Sequence, residues 1–208
     1  MDKSSAFANA ELTANKAMRY RKYQRFNLNP IWIIIAINLL MLAATFISPR
    51  LISLLGLVPA IFLSRPWTIV TNLFIHSGLW HLLANMLTLY FFGRYLSRLI
   101  GDSKLLIVYF AGGILGNILY ILLGEPLSVA VGASGSVFAL GGVLTMMRPK
   151  LSVLVFPIPI PLPLWVAVIG GFLILSFLPF VAWQAHLGGL IIGLIAGYIF
   201  RRKEHYFF

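Results

Sequence analysis

Long apolar runs, separated by short polar or proline-containing connections, make up most of this chain. A helix needs about 20 consecutive apolar residues to cross a bilayer, and several of the runs approach that length. We therefore predict an all-α membrane protein, built as a bundle of six transmembrane helices. The predicted spans are residues 30–47, 79–100, 104–123, 134–147, 164–178 and 184–200.

Two connections between the spans carry prolines that prevent a regular helix. Residues 49–71 are semi-apolar but interrupted by Pro59 and Pro66, so we predict a loop in or on the membrane surface, packed against the outer half of the bundle. Prolines alternate along residues 156–163, where they remove backbone donors and favour extended neighbours. This stretch is predicted to be non-helical and to lead into the fifth span at the membrane interface.

The composition supports a membrane protein and explains the high positive charge. Of the 208 residues, 60% are hydrophobic and only 10% are charged, whereas soluble domains carry about 25% charged residues. The net charge of +11 could suggest nucleic-acid binding, but the charges stand at the ends of apolar runs, which argues against it. The chain has no cysteine, so disulfides and thiolate chemistry are excluded.

The basic residues predict the orientation of the helices. With both termini in the cytoplasm, 14 of the 16 Lys and Arg residues fall on the inner side, and only Arg50 and Arg65 fall on the outer side, as the positive-inside rule requires. The predicted organisation is a basic cytoplasmic tail over residues 1–29, a membrane domain over 30–200 and a basic cytoplasmic C-terminus over 201–208. We expect a multi-pass protein of a prokaryotic plasma (inner) membrane.

No carboxylate lies inside a predicted span, and this restricts the chemistry. Ionisable groups within a membrane are costly and usually functional, yet all five Asp and Glu residues fall in tails or connections. An aspartyl intramembrane protease and a carboxylate-driven transporter are therefore excluded. A zinc protease is disfavoured because no His-Glu-x-x-His stretch occurs, so we expect neither a metal nor another cofactor.

Ser134 and His186 are predicted to lie at the same depth in the membrane. Ser134 begins a short span that reaches a cytoplasmic anchor, Arg148, 14 residues later, and His186 precedes Arg201 by 15 residues. At 1.5 Å per helical residue these separations are about 21 and 22 Å. In a hydrocarbon core about 30 Å thick, both residues should lie roughly 10 Å beneath the outer surface.

Small residues indicate that the fourth and sixth spans pack closely. Gly189 begins a stripe of glycines that recurs at every fourth residue of the sixth span, and the fourth span has a small-residue face of its own. His186 precedes Gly189 by three residues, on the same face, so close packing would aim its imidazole at the Ser134 hydroxyl. Glycine is also simply frequent in membrane helices, so packing without a site is the alternative.

The groups at this depth suit acyl transfer. A serine with a neutral histidine as its base is a dyad form of an activated nucleophile. His81 and Asn85, one turn apart on the second span, bracket the same depth. They could donate N–H groups to an oxyanion, together with the backbone N–H of Ser134 at a helix N-terminus. Phe138, one turn after Ser134, could stack on the imidazole.

Each of these residues also has a simpler interpretation. Ser134 could cap a helix, and His186 could be a buried histidine bonded to a backbone carbonyl. His81 and Asn85 could form an interhelical hydrogen bond, and Phe138 could belong to the core. Ser77, Ser136 and Gln184 are the polar candidates for lining a water route from the outer face.

The motifs that carry these residues resemble those of the rhomboid family of intramembrane serine proteases. The resemblance covers about residues 60–200, and the motifs occur in the family's order and spacing. Relatives often have tyrosine at the position of Phe138, and residues 156–163 are not part of the family pattern. The matching motifs are His76-x4-His81-x3-Asn85 in the second span, Gly132-Ala133-Ser134-Gly135 at the fourth, and Ala185-His186-x-x-Gly189-x-x-x-Gly193 in the sixth.

The resemblance implies roles for individual residues. Ser134 and His186 would form a catalytic dyad, and the oxyanion site would be built from His81, Asn85 and the Ser134 amide. Gly132, Phe138 and Gly189 would support the site, while His76 is either structural or a minor contributor.

The resemblance also implies a reaction and its partners. Transmembrane protein substrates would be cleaved near their outer ends, at a pocket open to water and surrounded by membrane lipids. One alternative is a catalytically inactive relative that binds membrane clients. Another is a small transporter or channel, which would need an ionisable path below the level of Ser134, and none is present in the sequence.

Overall fold

The fold is a helical membrane bundle, and the computed structural model describes residues 29–155 and 160–204, with side chains up to residue 202. Nearly all of the predicted N-terminal tail, residues 156–159 of the proline-rich stretch and residues 205–208 lie outside the described residues. The predictions made for those segments, and the predicted orientation of the termini, stay predictions.

Five of the six predicted spans correspond to a long described helix, and the fifth, residues 164–178, does not. Helix α1 starts where predicted because Pro30 suits the first turn and the Asn29 side chain accepts the Ile31 N–H at 2.9 Å. The predicted fourth span, residues 134–147, agrees with its helix at both ends. The helix of the predicted third span begins at Asp102, two residues earlier than predicted. The α-helices are α1 Pro30–Ile47, α2 Arg50–Leu55, α3 Thr68–Thr71, α4 Leu79–Ile100, α5 Asp102–Leu123, α6 Ser134–Met147, α7 Gly171–Ser176 and α8 Trp183–Glu204.

Length and composition support membrane crossing for three of the described helices. These are α1, α5 and the part of α8 over Trp183–Arg202. Helix α4 has 22 residues but is more polar, and α6 is a shorter apolar helix of 14 residues. A short helix can sit in a bilayer only if its polar ends are covered by protein or water, so α6 must lie inside the bundle.

Helix α6 is the central element of the bundle. Of its 14 residues, 11 are buried, including both apolar and small polar ones. Helices α5 and α8 pack directly against it, and α4 covers a further side. A helix that is apolar on all sides is typical of a fully enclosed position, and this position holds the N-terminus of α6 within the protein.

The contact between α6 and α8 depends on glycine. A Cβ atom on Gly189 would overlap the carbonyl oxygen of Gly135, and one on Gly193 would overlap the carbonyl oxygen of Ala139. Farther along, a Cβ on Gly197 would lie 2.7 Å from the Val143 carbonyl oxygen. The predicted small-residue stripe therefore brings the two backbones into direct contact. We call this contact the α6–α8 seam.

The long connection between α1 and α4 is broken, as predicted. It contains α2 and α3 with 3-10 turns at Pro59–Ser64 and Asn72–Phe74. It packs on the segment that precedes α6, because Leu57 and Ala130 exchange backbone hydrogen bonds at 3.0 and 2.8 Å. The connection therefore borders the end of the bundle at which α6 begins.

The segment between α6 and α8 differs from the prediction in two details. The described part of the proline-rich stretch is extended, as predicted, but Pro161–Pro163 (β2) pairs antiparallel with Ser152–Leu154 (β1), which the sequence did not indicate. The predicted fifth span is irregular, since Val166–Gly170 forms a π-helical turn that runs into the six-residue α7. Most of this segment lies at the surface, although Leu164 and Val168 are buried.

Candidate active site

The structure brings the hydroxyl of Ser134 and the imidazole of His186 together. Their Oγ and Nε2 atoms lie 2.8 Å apart, within hydrogen-bond distance. Ser134 is the first residue of α6 and is partly exposed, whereas His186 lies in the second turn of α8 and is only 6% exposed. A partly exposed serine and a buried histidine on a neighbouring helix are thus in contact.

The α6–α8 seam sets this distance. Gly135 follows Ser134, and Gly189 follows His186 by one turn, so the closest backbone contact of the seam lies beside the pair. A Cβ on Gly135 would itself lie 3.0 Å from the Ala185 carbonyl oxygen. Since both residues are carried by regular helices at their point of closest approach, the Ser134–His186 separation follows from helix packing rather than from a loop.

The ring of Phe138 lies against the imidazole of His186. Their centroids are 4.6 Å apart with the planes tilted by 32°, a separation within the range of attractive ring contacts. Phe172 of α7 also lies edge-on to Phe138, with the ring centroids 6.1 Å apart. The Nδ1 atom of His186 is buried without a hydrogen-bond partner among the described residues, so the ring is held by packing rather than by a carboxylate.

The loop before Ser134 adopts a conformation that requires glycine. Gly132 has φ of +123°, in the region that L-amino acids rarely adopt. A Cβ at this position would lie 2.7 Å from Cε1 and 2.8 Å from Nε2 of His81. Gly132 therefore allows both the turn into α6 and the close approach of the His81 ring to it.

His81 is oriented by Ser77. The Ser77 Oγ and the His81 Nδ1 lie 3.0 Å apart. If the Ser77 hydroxyl donates, the ring proton of neutral His81 is on Nε2, the nitrogen that faces Gly132 and the side of Ser134. In that tautomer, the His81 N–H faces the loop that precedes Ser134.

Asn85 lies one turn after His81, but its amide is partly occupied. Its Nδ2 donates to the His81 carbonyl oxygen at 2.9 Å, and no hydrogen bond joins its side chain to Ser134 among the described residues. A primary amide has two N–H groups, so one donor remains beyond this bond. The structure thus places Asn85 on the same face of α4 as His81 without bringing it into contact with Ser134.

His76 is buried outside α4, in the loop that precedes it. Its ring lies 5.0 Å from that of His81, and its Nε2 accepts the Ala133 N–H at 3.5 Å. Burial first, and then the neighbouring His81, lower the pKa of His76 to about 3, although a backbone hydrogen bond with Phe74 opposes the shift. His76 is therefore neutral at physiological pH, and a neutral ring can accept this hydrogen bond.

Two of the three residues predicted to line a water route have other environments. Ser136 is fully buried, next to Gly113 of α5. Gln184 is buried, and its Nε2 donates to the Leu123 carbonyl oxygen at the end of α5, at 3.0 Å. Those two predictions were wrong, because the sequence placed both residues near the outer end without showing which way they face. Ser77 is exposed.

Two residues near the site, Asn72 and Asn117, were not predicted from the sequence. Both are buried polar residues, and their side chains are bonded to each other. The signal was available, since uncharged amides within apolar stretches are as unusual as ionisable groups.

The arrangement contains the groups that acyl transfer needs. A serine in hydrogen-bond contact with a histidine can act as a nucleophile with its base, and the His81 ring lies close to the loop that precedes Ser134. The first N–H groups of a helix have no intrahelical acceptor, so the Ser134 N–H is available. Among the described residues, no three His, Asp or Glu side chains lie close enough together to hold a metal ion.

The chain is similar to one known protein family and to several of its members. A family model, the Rhomboid domain, matches residues 63–203. The rhomboid protein YdcA of Bacillus subtilis is 42% identical over 83 residues, which cover 39% of this chain and 41% of YdcA. Rhomboid-like protease 3 of Toxoplasma gondii is 31% identical over 176 residues, covering 79% of this chain and 66% of that protein.

The names of the relatives do not all describe proteases. A protein of Arabidopsis thaliana, Inactive RHOMBOID-like protein 8, is 29% identical over 126 residues, covering 60% of this chain and 35% of that protein. The chain thus spans between 35% and 66% of the length of these three relatives.

Proposed function

Because this chain belongs to the rhomboid family, we propose that it is an intramembrane serine endopeptidase that cleaves transmembrane segments of membrane proteins near their outer ends. The single observation that carries the proposal is the 2.8 Å contact between Ser134 Oγ and His186 Nε2. A buried histidine beside a partly exposed serine has no need of a metal or an organic cofactor for peptide hydrolysis.

The reaction follows from this contact. His186 Nε2 accepts the hydroxyl proton while Ser134 Oγ forms a bond to the scissile carbonyl carbon, which gives a tetrahedral oxyanion. Collapse of this intermediate breaks the C–N bond, and His186 returns the proton to the leaving amine. Water, deprotonated by His186, then hydrolyses the acyl-enzyme and restores the serine.

The oxyanion is stabilised by three N–H donors in this proposal. They are the backbone N–H of Ser134, the Nε2–H of His81 and the second N–H of Asn85. The first lies at the N-terminus of α6, where the helix dipole also favours negative charge. Supporting observations are the approach of the His81 ring to Gly132 and the free amide proton of Asn85.

Substrate selection follows from the need to unfold a helix. A transmembrane substrate must expose an extended peptide bond to Ser134, so segments with small or helix-breaking residues should be cut fastest. We propose that the substrate enters sideways between helices, past α7, because this part of the bundle is irregular and loosely covered. The enzyme would be a multi-pass protein of the plasma membrane with both termini in the cytoplasm.

A second candidate function is client binding without catalysis. The observation in its favour is that the matched relatives include one named inactive. Client binding alone does not need a serine and a histidine in contact, and this chain has both. An inactive protein would have no reason to keep a solvent-open serine hydrogen-bonded to a buried base.

A cleavage assay separates these functions. The purified protein is reconstituted in liposomes with a fluorescent transmembrane substrate, and the wild type is compared with Ser134→Ala and His186→Ala. Wild type should cut, and both variants should fall to background, because each removes one half of the dyad. Ser136→Ala, the change of a buried serine two residues away, serves as the matched control and should retain activity. Equal cleavage by the wild type and the dyad variants would exclude the proposal.

A further inference from the structure

Two buried asparagines near the candidate site are bonded to each other in both directions. The Asn72 Nδ2 donates to the Asn117 Oδ1 at 2.9 Å, and the Asn117 Nδ2 donates to the Asn72 Oδ1 at 2.8 Å. The second proton of the Asn117 amide goes to the Ile69 carbonyl oxygen at 2.7 Å. Each asparagine is only 2% exposed. We call this arrangement the amide pair.

The amide pair joins two separate parts of the fold. Asn117 lies in the second half of α5, and Asn72 begins the 3-10 turn that leads from α3 toward α4. In an apolar interior a polar group without a partner is strongly disfavoured, so a reciprocally bonded pair tolerates little displacement. The 3-10 turn is therefore fixed in position and orientation relative to α5.

The segment fixed in this way holds the two amides that precede Ser134. The Asn72 backbone oxygen accepts the Gly132 N–H at 2.9 Å. Four residues later, the His76 Nε2 accepts the N–H of Ala133. Both hydrogen bonds run from the loop before α6 to residues 72–76, so this segment binds consecutive peptide groups of the loop.

These two bonds determine which way the next N–H points. Consecutive peptide planes are joined at Cα, and each has only two soft torsions. With the Gly132 and Ala133 N–H groups both directed at residues 72–76, the Ser134 N–H that follows them has no acceptor among the described residues. Gly132, at φ of +123°, allows the turn that this requires.

We infer that Asn72 and Asn117 are positioning residues for the oxyanion donor at Ser134, acting through the Asn72 carbonyl oxygen and the loop at Gly132. The inference rests on the proposed function, because it assigns these residues to the same reaction. Neither side chain contacts Ser134 or His186. Their effect is transmitted through hydrogen-bonded backbone, and an N–H donor must be placed to within a fraction of an ångström to stabilise a transition state.

The test compares catalysis per active site across variants of the pair. Asn117→Leu and the double variant Asn72→Leu/Asn117→Leu are purified in detergent, and their active sites are counted by labelling to completion with a fluorophosphonate. Asn117→Leu should lower kcat per labelled site by about tenfold to hundredfold while KM changes by less than about twofold. The double variant should show the same loss, because one linkage is broken in both.

The double variant keeps the test decisive if the single variant folds poorly. Replacing both partners of a buried hydrogen bond by apolar side chains of similar size can leave folding nearly unchanged. Asn38→Leu is the matched control, since Asn38 is a fully buried asparagine of α1 that bonds only to its own helix, at the Ile34 carbonyl oxygen. It should leave kcat per labelled site within about twofold of wild type.

The outcomes are separable from failure of the proposed function. If kcat per labelled site is unchanged in Asn117→Leu and in the double variant, with only the number of labelled sites reduced, the pair is merely structural and the inference is overturned. If wild type neither cleaves substrate nor takes up label, the proposed function itself fails. A selective loss of kcat in the pair variants with an active wild type and an active Asn38→Leu supports the inference.

Discussion

Two glycine-containing regions border the candidate site, and they have opposite environments. In the α6–α8 seam, a Cβ on Gly189 would overlap a backbone oxygen of the neighbouring helix. In the π-helical turn and α7, Gly170 and Gly171 have nothing within 4 Å of the position where a Cβ would lie. The same residue type therefore serves close helix contact in one region and leaves open space in the other.

The difference shows which part of the bundle can move without disturbing the dyad. Ser134 and His186 are both carried by the seam, where backbones touch and relative motion is restricted. Helix α7 contains no buried residue, and regions with few buried contacts open most readily. Phe172 links it to the site, edge-on to Phe138. A rigid half would thus hold the chemistry, and a loosely packed half would admit the substrate.

The largest expected effect comes from filling the seam. Gly189→Ala should lower cleavage activity by about a hundredfold, because the new methyl group separates α6 from α8 beside the dyad. Overpacking of this kind also destabilises a fold by about 1–3 kcal/mol. Activity and thermal unfolding are measured together in one detergent. Normal activity in Gly189→Ala would show that the seam does not set the dyad distance.

The next effect concerns the ring that faces His186. Phe138→Ala removes the contact at 4.6 Å and should reduce kcat by about tenfold, because no polar group holds the Nδ1 side of the imidazole. Phe138→Tyr keeps the ring and should stay within about twofold of wild type. Phe172→Ala, on the loosely packed side, should have a smaller effect than Phe138→Ala. A larger loss of kcat in Phe172→Ala than in Phe138→Ala would contradict the proposed difference between the two regions.

A smaller effect is expected from the residue that orients His81. Ser77→Ala removes the hydrogen bond to Nδ1 and frees the ring to place its proton on either nitrogen, so kcat should fall about threefold to tenfold. Ser77→Thr keeps the hydroxyl and should restore most of the rate. If both variants behave alike, the hydroxyl does not act on His81.

The smallest effect is predicted for the π-helical turn and α7, where the glycines border open space. Gly171→Ala adds a methyl group in free space and improves helix propensity, so stability should rise by up to about 1 kcal/mol. Cleavage activity should remain within about twofold of wild type. This variant is the matched control for Gly189→Ala, and destabilisation of both to the same extent would contradict the difference between the two regions.

The helices and the meeting of Ser134 with His186 could be predicted because local pattern and depth determine them. Helices α1, α4 and α6 begin and end at the predicted residues, since proline, glycine and charge mark their limits. Ser134 and His186 lie at nearly equal distances along the sequence from basic residues at the inner ends of their helices, which predicted the same depth for both. The glycine stripe indicated that these two helices pack together. None of this required knowledge of a specific contact.

The rest depended on tertiary partners that a sequence does not show. The pairing of Pro161–Pro163 with Ser152–Leu154 and the π-helical turn after it arise from how the chain returns toward α8. The inward direction of Ser136 and Gln184 depends on the rotation of their helices, which depth does not fix. Asn72 and Asn117 are 45 residues apart, and only the folded chain shows that they meet.

The most direct measurement of the central claim is the location of a covalent label. Wild type, Ser134→Ala and His186→Ala are treated with a fluorophosphonate, digested and analysed by mass spectrometry. A hydroxyl activated by a histidine in hydrogen-bond contact predicts a single adduct on Ser134 in wild type and little or none in His186→Ala. An adduct on another serine, or equal labelling of Ser134 with and without His186, would contradict the account.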